Sequence, residues 1–326
     1  MLNNFNIFSI QSEEDFNKKA LEIFKFQYNN TLIYKKFVDL FNIDINGISH
    51  YTQIPFIPIE FYKTKKIIHQ NYNSQLYFQS SGTTSMNLSK HYIADESIYQ
   101  KSIINSFKLF FGDPSQYVFL GLLPSYLERE NSSLIYMVNY LMQQSNHEEN
   151  GYFLNNWEAL NSLLKKLEKN NKKTILFGVS YALIDFSEKF PQTLKNSVII
   201  ETGGMKGRKE EITKEELLKK LQNSFHTSNI FSEYSMTELL SQAYSMGNNI
   251  YQTPPWMKVL IRDIEDPFHF YVDNNKSGGI SIIDLANVYS CSFISTQDLG
   301  RQSDNNFEIL GRMDNSDIRG CSLLLL

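Results

Sequence analysis

A run of small hydroxyl residues around one glycine, QSSGTTS at residues 79–85, is the strongest chemical signal in the sequence. A loop of this composition offers backbone N–H groups and several O–H donors with little steric bulk, which is what a polyphosphate needs. The run is not a Walker loop, because the G-x-x-x-x-G-K-[ST] pattern is absent. A plain turn has the same composition, so both interpretations stay open. Under the first interpretation the phosphate ligands are Ser80, Ser81, Gly82, Thr83 and Thr84.

An aromatic ring, hydroxyl groups and carboxylates stand together in EYSMTE at residues 233–238, directly after a strand-like stretch at 229–232. At the end of a strand, such side chains could stack on a base, contact a phosphate and hold Mg²⁺. The alternative is a helix N-terminus with Thr237 as its cap. Under the first interpretation the nucleotide ligands are Tyr234, Ser235, Met236 and Thr237, and the metal ligand is Glu238.

A glycine-rich stretch, TGGMKG at residues 202–207, also follows a strand-like segment. Glycines without a Cβ could admit a flat ring close to the backbone. Gly203, Gly204 and Met205 are therefore candidate ligands of a base, although a simple loop crossing explains the stretch equally well.

Two further polar segments lie near the end of the chain, STQDLG at 295–300 and GRMDNSDIRG at 311–320. Asp298 could accept hydrogen bonds from ribose hydroxyls, and Arg312 could contact a ribose or a phosphate. Each segment could equally be a β-turn held by its aspartate.

The elements that must position these residues alternate between strand and helix in the middle of the chain. Residues 117–124 (YVFLGLLP) form a short continuous apolar run of the kind that a buried parallel strand shows. The later strand-like segments are 173–177, 197–201 and 229–232, and the helical segments between and before them are 132–143, 156–169, 181–190 and 214–225. Such alternation predicts a mostly parallel sheet.

The two ends of the chain have different patterns. Residues 13–41 predict two amphipathic helices, and Pro55 and Pro58 favour an extended arm after them. The pattern of residues 67–79 predicts a strand that leads into the hydroxyl run. The last hundred residues predict short strands separated by polar turns: VLIRDI, FHFYV, GGISIIDL, SCSFIST and FEILGR. We expect one domain over 1–326, with a helical segment and arm (1–75), an α/β nucleotide-binding core (76–250) and a β-rich subdomain (251–326).

Composition narrows the class of protein. Of the 326 residues, 42% are hydrophobic, and the net charge of -4 argues against a general nucleic-acid binder, which needs a basic face. Two cysteines, Cys291 and Cys321, exclude a disulfide scaffold and fit a reducing compartment. No targeting segment is visible, and no apolar run approaches the roughly 20 residues of a membrane helix. We expect a soluble, cytoplasmic protein.

Taken in order, SSGTT, GG, YSMTE, QDLG and GRMD resemble the motifs of the acyl-adenylate-forming superfamily, over residues from about 75 to the end. The resemblance implies an α/β fold like the N-terminal domain of those enzymes, with mixed and parallel sheets, flanking helices and a β-rich C-terminal subdomain. It further implies ATP and Mg²⁺ as cofactors and a carboxylic acid that is activated to acyl-AMP.

A narrower resemblance comes from GRMDNSDIRGCSLLLL (311–326), LLPSYLERENSSLIYM (122–137) and GGMKGRKE (203–210). These segments resemble LuxE-type acyl-protein synthetases, adenylating enzymes that lack the mobile C-terminal domain. That family implies a fatty acid substrate, capture of the acyl group on Cys321, and transfer to a partner acyl reductase or acyl carrier. The catalytic residues so implied are Cys321, Thr237 and Glu238. We expect the acyl pocket along 122–125 and 178–182, where strand ends meet the nucleotide loops, although apolar strand ends are often simply core.

The sequence departs from the superfamily pattern in three ways. Residues 85–88 (SMNL) replace the Gly-x-Pro-Lys of the phosphate loop, with Lys90 displaced by two positions, and Ser235 replaces the glycine of the YG-x-TE motif. The lysine that adenylating enzymes carry on their C-terminal domain has no counterpart. A carboxylate–CoA ligase and a non-catalytic acyl or nucleotide-binding homologue therefore remain alternatives. The segment around Cys321 could also be a terminal core strand, whereas Cys291 is expected to be buried.

Overall fold

The structure is a computed structural model that describes residues 5–74, 76–80, 88–124, 131–203, 212–272, 276–303 and 306–313. The chain divides into two compact units. We call the unit made of Leu76–His91 and Asp95–Pro254 the parallel-sheet unit. The antiparallel-sheet unit combines the described residues before Leu76 with Tyr92–Ala94 and those from Pro255 onward.

The helices and strands of the described residues are as follows. The helices are α1 (Glu13–Asn30), α2 (Leu32–Asp39), α3 (Phe61–Thr64), α4 (Glu96–Phe111), α5 (Ser133–Ser145), α6 (Trp157–Lys169), α7 (Ser180–Lys189) and α8 (Lys214–Phe225). The strands are β1 (Ile57–Pro58), β2 (Tyr77–Gln79), β3 (Lys90–Tyr92), β4 (Val118–Leu122), β5 (Gly151–Tyr152), β6 (Thr174–Val179), β7 (Ser197–Thr202), β8 (Ile230–Tyr234), β9 (Ala243–Ser245), β10 (Ile250–Gln252), β11 (Met257–Arg262), β12 (Ser277–Asp284), β13 (Phe293–Ser303) and β14 (Asn306–Arg312).

The parallel-sheet unit is built on the strand order β10-β9-β8-β7-β6-β4-β5. Strands β5, β4, β6, β7 and β8 pair in parallel, and β9 and β10 add antiparallel neighbours. Every residue of β4 and β6 is buried, because helices cover both faces of a sheet built from crossovers. The apolar run at 117–124 thus forms the buried parallel strand that its composition predicts.

Local signals fix where the crossover helices begin and end. The side chain of Thr213 accepts from the amide of Glu216, and the Glu216 side chain bonds back to the amide of Thr213, a capping box at the start of α8. The helix ends at His226, whose φ of 47° is left-handed. No residue separates β6 from α7, and a Cβ at Gly178 would lie 2.6 Å from Cγ of Leu183, so a larger residue there would displace the Leu183 side chain.

The antiparallel-sheet unit has the strand order β11-β12-β13-β14, with β1 parallel to β13. The N-terminal helices pack on this sheet through aromatic rings: Phe293 of β13 contacts Phe24 of α1 edge-on and stacks with Tyr34 of α2. The buried amide of Gln27 donates to the carbonyl oxygens of Asn287 and Val288. Residues from the two ends of the sequence therefore share one core.

The prediction of an α/β fold with a β-rich C-terminal part is confirmed. Two local predictions are wrong. Only Tyr77–Gln79 of the strand-like stretch at 67–79 forms a strand. The FHFYV segment forms no strand but a single bridge between Phe270 and Arg262, and its first amide, that of Phe268, donates to the Asp266 side chain instead of to a neighbouring strand. Within the described residues, no helix combines the length and the apolar character needed to cross a bilayer.

Cys291 lies in the core of the antiparallel-sheet unit, as the sequence predicts. Its side chain is fully buried, and burial raises the pKa of the thiol to about 12. A thiol reacts with disulfide reagents as its thiolate, so this one is inert on two grounds, access and protonation.

We therefore predict that a Cys321→Ser variant, in which Cys291 is the only thiol left, releases no absorbing thiolate from an aromatic disulfide at pH 8. In denaturant the same sample should release one equivalent of the aromatic thiolate per chain. Reaction of the native variant at the rate of a free thiol would contradict the buried placement.

Candidate functional site

The carboxyl ends of β6, β7 and β8 lie at one edge of the parallel-sheet unit. The register places Thr202 opposite Glu233, so Gly203 and Tyr234 follow a matched pair of residues on adjacent strands. Ligands bind outside the carboxyl ends of strands in open parallel sheets. The structure thereby brings together Gly203 and the EYSMTE segment, which begins 30 residues later at Glu233.

Gly203 has the conformation that its candidate role requires. Its φ of 75° is left-handed, and among the described residues, its chain neighbours aside, no atom lies within 4 Å of the position that a Cβ would take. A flat ring can approach the backbone there. Tyr234 is largely buried, with its ring centroid 6.0 Å from that of Tyr251. Gly204 and Met205 lie outside the described residues.

The residues after β8 form a tight turn. The Leu239 amide donates to the Met236 carbonyl at 3.0 Å, which places Thr237 and Glu238 at the two central positions. No helix follows, because the chain goes directly on into β9. The alternative that Thr237 caps a helix is therefore wrong. Thr237 is half-buried and Glu238 is 5% exposed, so the carboxylate stands in a largely desolvated place.

The hydroxyl run at 79–85 is described only at its start. The Ser80 amide donates to the Ser89 carbonyl at 3.1 Å, and the Ser89 amide donates to the Ser80 hydroxyl at 3.0 Å. These two bonds pair the residues on either side of 81–87. Ser81, Gly82, Thr83 and Thr84 lie outside the described residues.

His91, on β3, joins this segment to the turn. Its Nδ1 lies 3.1 Å from the carbonyl oxygen of Thr237. The side chain is 1% exposed, and burial lowers its pKa to about 4, against the smaller opposing effect of the hydrogen bond to Thr237. The imidazole is thus neutral at physiological pH. The sequence analysis missed this residue, because a lone histidine next to Lys90 carries no recognisable pattern.

A cluster of buried polar side chains, which the sequence analysis also missed, occupies the ends of β7 and β8. The Ser180 hydroxyl lies 2.8 Å from Glu201 Oε2 and also contacts the Gly203 carbonyl, and Lys214 Nζ forms an ion pair with the other oxygen of Glu201. The Thr202 hydroxyl donates to Glu233 Oε2 at 2.6 Å. The sequence signal that could have indicated this cluster is a glutamate at the end of an apolar strand, as at Glu201 and Glu233.

Burial and neighbouring charges shift the pKa values of two side chains in this cluster, Glu233 and Lys214. Burial raises the pKa of Glu233, with a further contribution from the neighbouring charge of Glu201, while hydrogen bonds from Ser235 and Thr202 oppose the rise. Burial acts to lower the pKa of Lys214, but Glu201 and Tyr251 together outweigh it and the pKa is raised. Glu201 therefore fixes both Ser180, at the start of α7, and Lys214, at the start of α8.

The ribose candidates lie in the antiparallel-sheet unit, on neighbouring strands. Asp298 of β13 pairs in register with Arg312 of β14. The Arg312 guanidinium donates to the side chain of Gln297 at 3.2 Å, and the Asp298 amide donates to the Thr296 hydroxyl at 3.1 Å. Both residues are therefore in strands, and the alternative of β-turns held by an aspartate is wrong for Asp298.

Two predicted features lie wholly or partly outside the described residues. Cys321 is one of them, so its role stays a prediction. Of the proposed acyl pocket, Ser125 is not described, whereas Leu122, Gly178 and Ala182 are buried. In the described part of the chain, no group of three or more His, Cys, Asp or Glu side chains is arranged to hold a metal ion.

The fold of this chain is similar to those of several solved structures at low sequence identity. No protein-family model matches the chain, and no curated protein matches it. Among solved structures, an open form of 2-hydroxyisobutyryl-CoA ligase in complex with 2-HIB-AMP and CoA matches 94% of this chain and 72% of its own. The TM-score is 0.64 at 10% identity.

Two shorter matches have the same fold. ATP-bound MatB from Rhodopseudomonas palustris has a TM-score of 0.56 at 14% identity, covering 72% of this chain and 47% of that one. McyG A-PCP complexed with phenylalanyl-adenylate has a TM-score of 0.55 at 16% identity, covering 83% of this chain and 51% of that one. The chain thus spans about half the length of these two proteins, and its fold is that of the adenylate-forming ligases.

The Glu201–Lys214 ion pair generates a stability prediction. Lys214→Met keeps the aliphatic length of the side chain but leaves a fully buried carboxylate without its cation. Loss of one partner of a buried pair costs about 3–5 kcal/mol, and because Lys214 is partly exposed we expect about 3 kcal/mol in the free energy of unfolding, measured with urea.

The matched control is Lys108→Met, which removes an exposed pair with Asp113 at 3.3 Å. Exposed pairs contribute about 0–1 kcal/mol, so this variant should unfold near the wild-type midpoint. Equal losses in the two variants would show that burial of Glu201 has no special energetic role.

Proposed function

We propose that this protein uses ATP to activate a carboxylic acid, forming an acyl adenylate and releasing pyrophosphate. The observation that carries the proposal is the meeting of Gly203, Tyr234 and the Thr237–Glu238 turn at one strand edge. His91 links the same turn to the strand that follows the hydroxyl run. Three sequence signals of nucleotide binding thus belong to one unit of an adenylate-forming fold.

In the proposed reaction a carboxylate oxygen attacks the α-phosphorus of ATP, and the bond to the bridging oxygen of pyrophosphate breaks. Negative charge develops on the phosphate oxygens as this happens. Donors aimed at such charge commonly contribute about 10²–10³-fold in rate. We assign that role to the hydroxyls and amides of residues 80–84 and to the Thr237 hydroxyl.

Mg²⁺ would neutralise charge on the transferred phosphates. It is usually bound through one or two carboxylates plus substrate phosphates, and the buried Glu238 at the centre of its turn suits such a site. We assign the adenine contacts to Tyr234, Ser235, Met236 and to the 203–205 stretch. Asp298 and Arg312 remain the predicted ribose ligands.

A second half-reaction would move the acyl group to a thiol. We infer that Cys321 is the acceptor: its thiolate attacks the acyl carbonyl carbon, and AMP leaves. Cys291 cannot serve as the acceptor, because its side chain is buried and its pKa is raised. The sequence has only one other cysteine, Cys321. Arg319 lies two residues before Cys321, and a nearby cation lowers the pKa of a thiol. We further propose that the acid is a fatty acid and that the acyl group passes on to an acyl reductase or a carrier protein. The proposal also includes a cytoplasmic location and no nucleic-acid partner.

The competing enzyme function is transfer of the acyl group to CoA. The match to 2-hydroxyisobutyryl-CoA ligase, which covers 94% of this chain, favours it. A third function is nucleotide or acyl binding without turnover.

Incubation with ATP, Mg²⁺ and a panel of carboxylic acids separates the three functions, with pyrophosphate as the readout. We expect release that requires an acid and does not require CoA. Release only when CoA is present would replace the thiol-transfer proposal with a CoA ligase. Binding of ATP without release under any condition would leave a binding protein.

The acceptor is tested by labelling. Radiolabelled acid with ATP should label the protein through a bond that neutral hydroxylamine cleaves. We predict that Cys321→Ser loses this label and retains pyrophosphate release, whereas Cys291→Ser changes neither. Persistence of the label in Cys321→Ser would rule out Cys321 as the acceptor.

A further inference from the structure

The His91 side chain contacts the backbone of the Thr237–Glu238 turn. A carbonyl oxygen only accepts, so the contact of 3.1 Å requires that Nδ1 of His91 carries a proton and donates to Thr237. The side chain is buried, and its pKa of about 4 leaves it neutral. The ring is therefore expected in one defined tautomer, protonated on Nδ1.

The acceptor belongs to the peptide that joins Thr237 to Glu238. Those two residues occupy the centre of a turn closed by the bond from the Leu239 amide to the Met236 carbonyl. A displacement of that central peptide would carry both side chains with it, because both leave the backbone next to it. The bond from His91 opposes such a displacement.

The donor belongs to a strand with its own fixed position. His91 is two residues after Ser89, which exchanges two hydrogen bonds with Ser80 at distances of 3.1 and 3.0 Å. Lys90 Nζ lies 5.0 Å from the centre of the Tyr77 ring on the partner strand. The hydrogen bond from His91 thus holds the turn against the strand next to the hydroxyl run, although the two residues are 146 positions apart in sequence.

Packing alone does not explain a histidine here. A buried site surrounded by core is filled equally well by leucine or phenylalanine, and a buried polar ring is costly unless it is hydrogen-bonded. The bond to Thr237 offsets that cost, and it holds the turn as a consequence.

We propose that His91 is a positioning residue for nucleotide binding, which orients the Thr237–Glu238 peptide and so sets the affinity for MgATP. This role rests on the proposed function of the turn. His91 contacts neither the phosphates nor the acid in this account, so it acts on MgATP affinity and leaves the affinity for the acid unchanged.

Two amide substitutions form a matched pair of variants. In His91→Asn the amide nitrogen lies close to the place of Nδ1, so the donor to Thr237 is kept. In His91→Gln the amide nitrogen lies one bond further out, near the place of Nε2, so that donor is lost. His91→Leu removes every polar atom.

The measurement is MgATP binding by titration calorimetry on the full chain. Loss of a buried hydrogen bond costs about 1–3 kcal/mol, and we expect Kd to rise about tenfold or more in His91→Leu and His91→Gln. His91→Asn should stay within about threefold of the wild type. For the acid, KM should be unchanged in every variant that turns over.

A second measurement needs no substitution. Nitrogen-15 NMR of histidine-labelled protein should show one imidazole, assigned by its loss in His91→Asn, that is protonated on Nδ1 and does not titrate between pH 5.5 and pH 8, because its pKa is about 4. This readout also covers the case in which His91→Leu fails to fold.

The outcomes separate this inference from the proposed function. If the wild type binds MgATP but releases no pyrophosphate with any acid, the proposed function fails, and the binding series still decides the role of His91. Wild-type affinity in His91→Leu, an Asn variant no better than the Gln variant, or a proton on Nε2 would overturn the inference. A wild type that binds no MgATP would overturn both.

Discussion

The parallel pairing of β7 with β8 is the constraint on which the candidate site depends. It fixes Thr202 opposite Glu233, and every residue that follows either strand takes its position from that register. A slip by one residue would turn each side chain to the other face of the sheet and would put Ser232 or Tyr234 in the place of Glu233. The register thus determines which polar groups meet at the strand edge and which core residues stay covered.

The same register forces two carboxylates into the interior, and the surrounding side chains make that arrangement stable. Glu201 meets a cation from Lys214 and a hydroxyl from Ser180, while Glu233 meets the Thr202 hydroxyl. Removal of one partner would leave a buried charge uncompensated, which costs far more than loss of a surface pair. Because Lys214 and Ser180 begin two helices, this electrostatic requirement also fixes where α7 and α8 start relative to the strand ends. Packing and site geometry are therefore set by one set of contacts.

Much of the fold was predictable because its signals are local. The apolar run at 117–124 and the capping box of Thr213 and Glu216 each depend on neighbours in sequence, and each gives the expected element. The turn at Thr237 was not settled by sequence, because the same residues suit a helix cap, and the choice depends on pairing of the following β9. His91 and Glu201 were missed for a related reason. Their roles come from partners 146 and 13 residues away, and burial of a polar side chain leaves no trace in composition.

The central claim is that an oxygen of a carboxylic acid becomes bonded to the α-phosphorus of ATP at this strand edge. An acid labelled with oxygen-18 in its carboxylate tests this most directly, with the AMP formed after one turnover analysed by mass spectrometry. The account predicts that AMP gains one labelled oxygen, because cleavage of the acyl adenylate by a thiol leaves the former carboxylate oxygen on phosphorus. Unlabelled AMP, or label recovered in inorganic phosphate instead, would contradict it.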